Sequence, residues 1–270
     1  MRLRGLPGPP VVSSVLLIGI DCAVDPSNIG LCLAQYRKGE TLRVLEACSG
    51  LKDSPAEIAA RWIAAKPGLP VLLGMDAPLG WPVALSESLS LHRAGDALLP
   101  PANELFRRYT DDFTARAIGK RPMDVGADRI ARTAHAALRL LDEIRRLSSL
   151  SFSPGWDPGT AARSAVLETY PAAWLKVSGL PDHSYKKKDQ LDQRRFILAE
   201  LEKELFMEVP REPFLEDADI LDALLCTLVC RDYLEGRVIR PPAEKESLVR
   251  REGWIWLSDY SGSVPAITSR

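Results

Sequence analysis

The chain has 270 residues, which is enough for one α/β domain with a large insertion or for two small domains; we favour the first. Charged residues make up 26% and hydrophobic residues 46%, so the composition excludes a disordered or collagen-like chain. The net charge of −1 gives no overall attraction to a polyanion. A nucleic-acid partner would have to be held by local basic patches or by metal ions.

The N-terminal segment combines a basic start with an apolar run, a pattern that superficially resembles a secretory signal peptide. Prolines and glycines separate the two parts, and the apolar run ends in Asp21 and is too short to span a bilayer. We therefore predict a loose leader over 1–14, a buried strand from residue 15, and no membrane partner. Five cysteines without a CxxC pair argue against a disulfide framework and favour a reducing cytoplasm.

Three apolar segments separated by turn residues predict an antiparallel meander. They are Val15–Asp21, 29–36 and 42–48. A helix over 55–65 follows, with Ser54 as its predicted N-cap, and Pro67 and Gly68 end it. Val71–Asp76 is a fourth apolar run that also ends in an acid, which predicts a fourth strand.

The region over about 83–163 differs from the strand-rich segments before it, because its apolar residues recur at helical spacing between 127 and 150. It predicts a helical insertion, which returns through a loop over 148–160 to a fifth strand over 165–170. The remaining predicted elements are helices near 188–205 and 217–234 and a short terminal strand over 254–257.

This order of elements matches an α/β domain of the ribonuclease-H-like class. Such a domain has a mixed sheet, in which a three-strand antiparallel meander is extended by parallel strands and flanked by helices. We therefore predict a single ribonuclease-H-like domain over 15–270 that carries the helical insertion over 83–163.

Five acidic residues fall where this fold would bring them together. Asp21 and Asp76 end strands one and four, whose carboxyl ends meet if the two strands are parallel neighbours. Asp219 and Asp222 are three residues apart and so share one face of the last long helix, while Glu168 lies in the fifth strand. Each acid alone is as often a solvated strand end or a cap, but together they predict a catalytic cluster.

Crowded carboxylates repel one another, so the cluster predicts bound divalent cations. Ligation by oxygen alone favours Mg²⁺ or Mn²⁺ over zinc. Two such ions can activate a water and stabilise the departing oxygen in phosphodiester cleavage. The predicted metal ligands are Asp21, Asp76, Asp219 and Asp222.

Segments spread over nearly the whole chain resemble the "domain of unknown function 429" family. They are 19–30, 74–82, 121–130, 168–173, 184–186, 219–225 and 252–255. That family is regarded as a predicted nuclease of the ribonuclease-H-like fold related to the RuvC resolvases. The resemblance therefore implies this fold and a metal-dependent nuclease activity as expectations.

In RuvC-type enzymes, one acid lies on strand one, one on strand four, and two aspartates lie three apart on the last helix. By resemblance these correspond to Asp21, Asp76, Asp219 and Asp222. The strand-four acid is more often Glu, so the shorter Asp76 must approach the ion more closely. The segment from Glu168 to Pro171 resembles the Glu-x-x-Pro segment of RuvC, in which the glutamate is not a usual ligand.

Basic and aromatic residues near the predicted cluster are candidates for substrate binding. Lysines after the fifth strand and basic residues of the insertion would contact phosphates, and a tryptophan beside the strand-four loop would stack on a base. They are Lys186, Lys187, Arg116, Lys120, Arg121 and Trp81. For each, a solvated surface charge or simple packing is the ordinary alternative.

The favoured function is metal-dependent phosphodiester hydrolysis on DNA, RNA or a smaller phosphodiester. One alternative is an actin-like phosphotransferase, which also begins with Gly-x-Asp on a strand-one hairpin but normally needs a second domain and a glycine-rich phosphate loop. The other is a binding module on the same fold that catalyses no reaction. The observation that discriminates it from an enzyme is whether the acids converge tightly enough to chelate a metal ion. The sequence leaves the oligomeric state open.

Overall fold

A computed structural model describes residues 14–126, 128–160 and 163–260. The predicted leader therefore lies outside the described residues, except for Ser14, which is buried. Within these ranges, every helix is too short or too polar to cross a membrane. All five cysteines are free, as expected from their spacing.

The centre of the fold is a mixed sheet of seven strands. These are β1 Val15–Asp21, β2 Gly30–Tyr36, β3 Leu42–Ser49, β4 Val71–Asp76, β5 Ser153–Pro154, β6 Ala165–Glu168 and β7 Leu205–Met207. Their order across the sheet is β5-β6-β4-β1-β2-β3-β7. Strands β1 to β3 form the predicted antiparallel meander, and β4 and β6 extend the sheet in parallel on the other side of β1. The predicted mixed α/β sheet is thus confirmed.

Helices cover both faces of this sheet. In the described ranges they are α1 Pro55–Ala64, α2 Val83–Leu89, α3 Ala102–Phe106, α4 Tyr109–Ile118, α5 Asp128–Ser148, α6 Pro171–Val177, α7 Leu191–Leu201, α8 Glu212–Glu216, α9 Ala218–Leu234 and α10 Glu246–Glu252. Helices α2 to α5 occupy the region predicted as a helical insertion. Alternate β1 residues face opposite sides, so that Leu16 and Ile18 pack with α1 and α5 while Leu17 packs with α9.

Helix α9 approaches β1 and β2 more closely than side chains would allow. A Cβ added to Gly19 would lie 1.9 Å from the carbonyl oxygen of Ala223, and one added to Gly30 would lie 2.0 Å from the carbonyl oxygen of Asp219. Glycine is therefore required at both positions. The close contact carries the first turns of α9 to the carboxyl end of β1.

Three predicted element boundaries are corrected by the structure. The fifth predicted strand, observed as β6, ends at Glu168 because Pro171 begins helix α6, which the sequence did not predict. The helix predicted over 188–205 is shorter, and Leu205–Met207 instead pairs in parallel with β3. The loop predicted over 148–160 contains the short edge strand β5.

Two local predictions also differ from the structure. The segment 254–257 forms no strand of the sheet; Ile255 makes one isolated bridge to Glu168, and the apolar character of the segment reflects burial. Ser54 does precede α1, but its side chain makes no capping hydrogen bond.

Candidate metal centre

The acidic centre is built by the register of two parallel strands. Asp21 and Asp76 are partners at the carboxyl ends of β1 and β4, and Asp222 projects toward them from α9. One carboxylate oxygen from each of the three residues lies within 4.8 Å of the other two. The predicted convergence of these three acids is confirmed, and the group is compact enough to hold a metal ion.

The side chain of Lys186 lies among these carboxylates. Its Nζ is 3.0 Å from Oδ2 of Asp21 and 2.5 Å from Oδ2 of Asp222. The sequence predicted that Lys186 would contact substrate phosphates, whereas here its ammonium group forms ion pairs with two of the predicted metal ligands. A positive charge therefore occupies the position that the acids would offer to a cation.

One ammonium does not offset all the negative charge buried here. Burial raises the pKa of Asp21 well above its usual value and that of Asp76 to about 7, although Lys186 acts in the opposite direction. Burial likewise raises the pKa of Asp222. It disfavours the charged form of Lys186, but Asp222 and Asp21 outweigh that effect and hold the lysine pKa well above its usual range. The centre thus favours additional positive charge.

Asp219 lies at the edge of the centre. Its Oδ1 is 4.0 Å from Nζ of Lys186 and its side chain is 36% exposed, compared with 1% for Asp222. It sits in the first turn of α9, where the carboxylate of Asp217 accepts a hydrogen bond from its backbone N–H. Its carboxylate is outside the compact group of three.

The loop that carries Lys186 is fixed by two residues that the sequence analysis did not single out. The hydroxyl of buried Tyr185 donates a hydrogen bond to Oδ1 of Asp222 at 2.8 Å. Nη1 of buried Arg194 donates to the carbonyl oxygens of Tyr185 and Lys187, at 2.6 and 2.8 Å. The sequence feature that could have identified Tyr185 was its position in segment 184–186, which resembles the DUF429 family. Lys187 itself is exposed.

Glu168 lines the same cavity but is bound by a different partner. Arg108 donates to both of its carboxylate oxygens, at 2.6 and 2.8 Å, and also pairs with Asp111 at 2.7 Å. The backbone N–H of Leu79 donates to Glu168 at 3.0 Å. These side chains are almost fully buried. Glu168 therefore ties the β4 loop to α4 and is not in the compact carboxylate group.

A cavity of about 310 Å³ opens onto the three acids and Lys186. The insertion contributes part of its wall through Arg108, Pro122, Met123, Ile130 and Thr133. Arg108 is the basic residue among them, and its guanidinium is paired with Glu168 and Asp111. The insertion therefore reaches the acidic centre, but not with the predicted Arg116, Lys120 and Arg121.

The predicted basic residues of the insertion have other partners. Lys120 donates to the side chain of Asp182 at 2.7 Å, and Arg121 donates to Asp112 at 3.0 Å. The guanidinium of Arg116 lies 5.9 Å from the centre of the Tyr109 ring. None of the three lines the cavity, and neither does Trp81, which is half-buried. We find no contact between these four side chains and the acidic centre within the described ranges.

Comparison with known proteins places the chain in one family. The family model described as "Protein of unknown function (DUF429)" matches residues 19–247, which include every acid of the centre. No curated protein and no solved structure matches the chain.

Proposed function

This chain belongs to the DUF429 family, whose description assigns no activity, and we propose that it is a metal-dependent phosphodiesterase of the nuclease type. One observation carries the proposal: Asp21, Asp76 and Asp222 come together from two strand ends and a buried helix, within 4.8 Å of one another. Buried carboxylates without enough counter-charge are costly, and a divalent cation removes that cost.

The topology supports a ribonuclease-H-like interpretation of the fold. The meander β3-β2-β1 is followed across the sheet by the parallel strands β4 and β6, which is the strand arrangement expected of that class. The acids stand at the carboxyl ends of β1 and β4, next to α9. Ligand sites in open α/β sheets are commonly built at this edge.

We assign the metal as Mg²⁺ or Mn²⁺, because the available donors are carboxylate oxygens and no nitrogen or sulfur ligand is in the compact group. Bound there, such ions supply an activated water and charge stabilisation for in-line displacement at phosphorus. Asp21, Asp76 and Asp222 are the proposed ligands. Asp219, at the edge of the centre, is the proposed further ligand.

The remaining polar residues of the centre have positioning roles in this proposal. Tyr185 fixes one oxygen of Asp222 through its hydroxyl, which leaves the other oxygen facing Lys186. Lys186, once its carboxylate partners are neutralised, is free to pair with a substrate phosphate at the mouth of the cavity. Its side chain is 46% exposed, so it has room to reorient. Glu168 and Arg108 hold the cavity wall.

We also propose a reducing, cytoplasmic setting. All five cysteines are free, and four of them are buried in the core. Burial raises the pKa of the thiols of Cys22 and Cys226, which keeps them protonated and unreactive beside the acids.

The test is a panel of labelled single-stranded, duplex and branched DNA and RNA, incubated with Mg²⁺ or Mn²⁺, together with Mn²⁺ titration by calorimetry. We expect Mn²⁺ binding and cleavage in the wild type, and the loss of both in Asp222→Asn. Asp182→Asn is the matched control, because this acid pairs with Lys120 outside the centre. Metal binding without cleavage of any substrate would favour a binding module. Failure to bind Mn²⁺ would overturn the proposal.

A further inference from the structure

A second cavity of about 580 Å³ lies against the outer face of α5. Three basic side chains of that helix line it: Arg132, His135 and Arg139. We call them the α5 basic strip. Spacings of three and four residues place them on one helical face, and all three are exposed. The opposite wall is formed by the β1–β2 connection and the start of α1, through Val24 and Pro55.

This second cavity adjoins the metal centre. Cys22 lines the acidic cavity, and the next residue, Ala23, lines the second one. The first turn of α5 also lies between the two cavities, because Ile130 lines the acidic cavity and the next residue, Ala131, lines the second cavity. A chain-like ligand leaving the acidic centre across this short partition would run onto the α5 basic strip.

The arginines of the strip differ in their partners from the basic residues near the end of α4. Neither Arg132 nor Arg139 has an ion-pair partner among the side chains that the structure describes, whereas Lys120 and Arg121 are paired with aspartates. Glu143, one turn after Arg139 and lining the same cavity, pairs with Arg146 at 3.7 Å. The strip thus offers unpaired positive charge in a protein whose net charge is −1.

The dimensions of the strip fit several phosphates. Arg132 and Arg139 are seven residues apart, or about 10 Å along the helix axis. Along the axis of a duplex, the phosphates of one strand rise by about 3.4 Å per nucleotide, so a duplex aligned with α5 would place roughly three nucleotide steps along the strip.

We infer that the α5 basic strip binds the phosphate backbone of a nucleic-acid strand whose reacting phosphate lies at the metal centre, so that the substrate is a polynucleotide and not a small phosphodiester. The inference rests on the proposed function for the location of the reacting phosphate. The charge of the strip, its freedom from internal ion pairs and its position beside the acidic cavity support it.

The test compares the binding of fluorescent single-stranded 12-nucleotide DNA and RNA with that of a dinucleotide, by anisotropy in EDTA over a range of salt concentrations. The variant is Arg132→Ala with Arg139→Ala. We expect the 12-mer affinity to fall about tenfold in 0.1 M salt and the slope of log affinity against log salt to become shallower by about 1.4, because two phosphate contacts are lost. Dinucleotide binding should not change.

The matched control is Arg37→Ala with Lys38→Ala, which removes the same charge from the β2–β3 turn at the opposite end of the strands. An unchanged salt slope in the α5 variant, or an equal loss in the control, would overturn the inference.

Mn²⁺ calorimetry separates the failure of this inference from the failure of the proposed metal site. If the α5 variant binds the 12-mer normally while the protein binds Mn²⁺ and cleaves, only the inference fails. If the strip binds the 12-mer but Mn²⁺ does not bind, only the metal proposal fails.

Discussion

Nζ of Lys186 lies 2.5 Å from Oδ2 of Asp222, one of the three acids that could hold a metal ion. The lysine and a metal ion would therefore compete for the same carboxylate. The ammonium partly neutralises the acids of the metal-free centre, so displacing it costs free energy and weakens metal binding.

The first prediction concerns this competition. Lys186→Met removes the competing charge but keeps much of the apolar stem, so we expect Mn²⁺ to bind about tenfold more tightly, equivalent to about 1.4 kcal/mol. Calorimetric titration with Mn²⁺ measures the change. Lys187→Met is the control, since Lys187 is exposed and makes no ion pair with another described residue. Weaker Mn²⁺ binding in Lys186→Met would instead show that the lysine supports the metal site.

The second prediction concerns the pH dependence of the metal-free protein. Burial raises the pKa of Asp76 from 3.8 to about 7, so the folded state favours the protonated acid. The stability that this proton provides is present below about pH 4 and is lost as the pH rises through 7. In EDTA, we expect the wild type to lose stability between pH 5.5 and pH 8. Asp76→Asn should lack that part of the loss and be more stable at pH 8 by about 1–2 kcal/mol.

Thermal denaturation at the two pH values checks this expectation. Asp25→Asn serves as the control, because Asp25 is exposed in the β1–β2 connection and hydrogen bonds to Ser27 lower its pKa. An Asp76→Asn protein with the same pH profile as the wild type would mean that Asp76 is ionised throughout this range.

The third prediction separates a structural role of Glu168 from a ligand role. Glu168→Gln leaves Arg108 buried with a single carboxylate partner, so we expect a loss of about 3 kcal/mol in the free energy of unfolding. Mn²⁺ stoichiometry should be retained in the folded protein. Asp111→Asn breaks the other half of the same ion-paired group and should cost a similar amount. Loss of Mn²⁺ binding in Glu168→Gln alone would identify this residue as a ligand.

The fourth prediction concerns the orientation of Asp222. Tyr185→Phe removes the hydroxyl that donates to Oδ1 of this carboxylate, so the acid is less well fixed and its charged form is less well stabilised. We expect Mn²⁺ affinity to fall severalfold and stability to fall by about 1 kcal/mol. Tyr170→Phe is the matched control, because Tyr170 lines the same cavity without a hydrogen bond to Asp222. Equal effects of the two variants would contradict this role.

The sequence predicted the parts of the centre that depend on regular elements. Asp21 and Asp76 could be placed because each ends a continuous apolar run, and two parallel neighbouring strands bring such ends together. Asp222 could be placed because its helix is apolar on every side, which implies burial. The apolar strands and the apolar helix were therefore sufficient to predict where the three acids of the compact group meet.

Other features depend on contacts that no local pattern records. The loop before α7 has no periodic pattern of apolar residues, so its sequence does not indicate that the side chain of Lys186 lies between the acids. Arg108 and Glu168 are 60 residues apart in the chain and meet only in the folded protein. The basic residues of the insertion were assigned to the cleft from their proximity in sequence, whereas Lys120 forms an ion pair with Asp182.

The glycine contacts of α9 also determine how the centre responds to a ligand. Carbonyl groups of this helix would overlap a Cβ at Gly19 or Gly30, so the main chains of α9, β1 and β2 fit together without intervening side chains. Sliding or tilting of the helix is then opposed by hard-core repulsion, and the spacing between Asp21 and Asp222 is set by the backbone. Occupied and empty forms of the centre should differ in side-chain rotamers and not in main-chain positions. Binding of a metal ion should therefore require little reorganisation of the main chain and carry only a small free-energy cost for it.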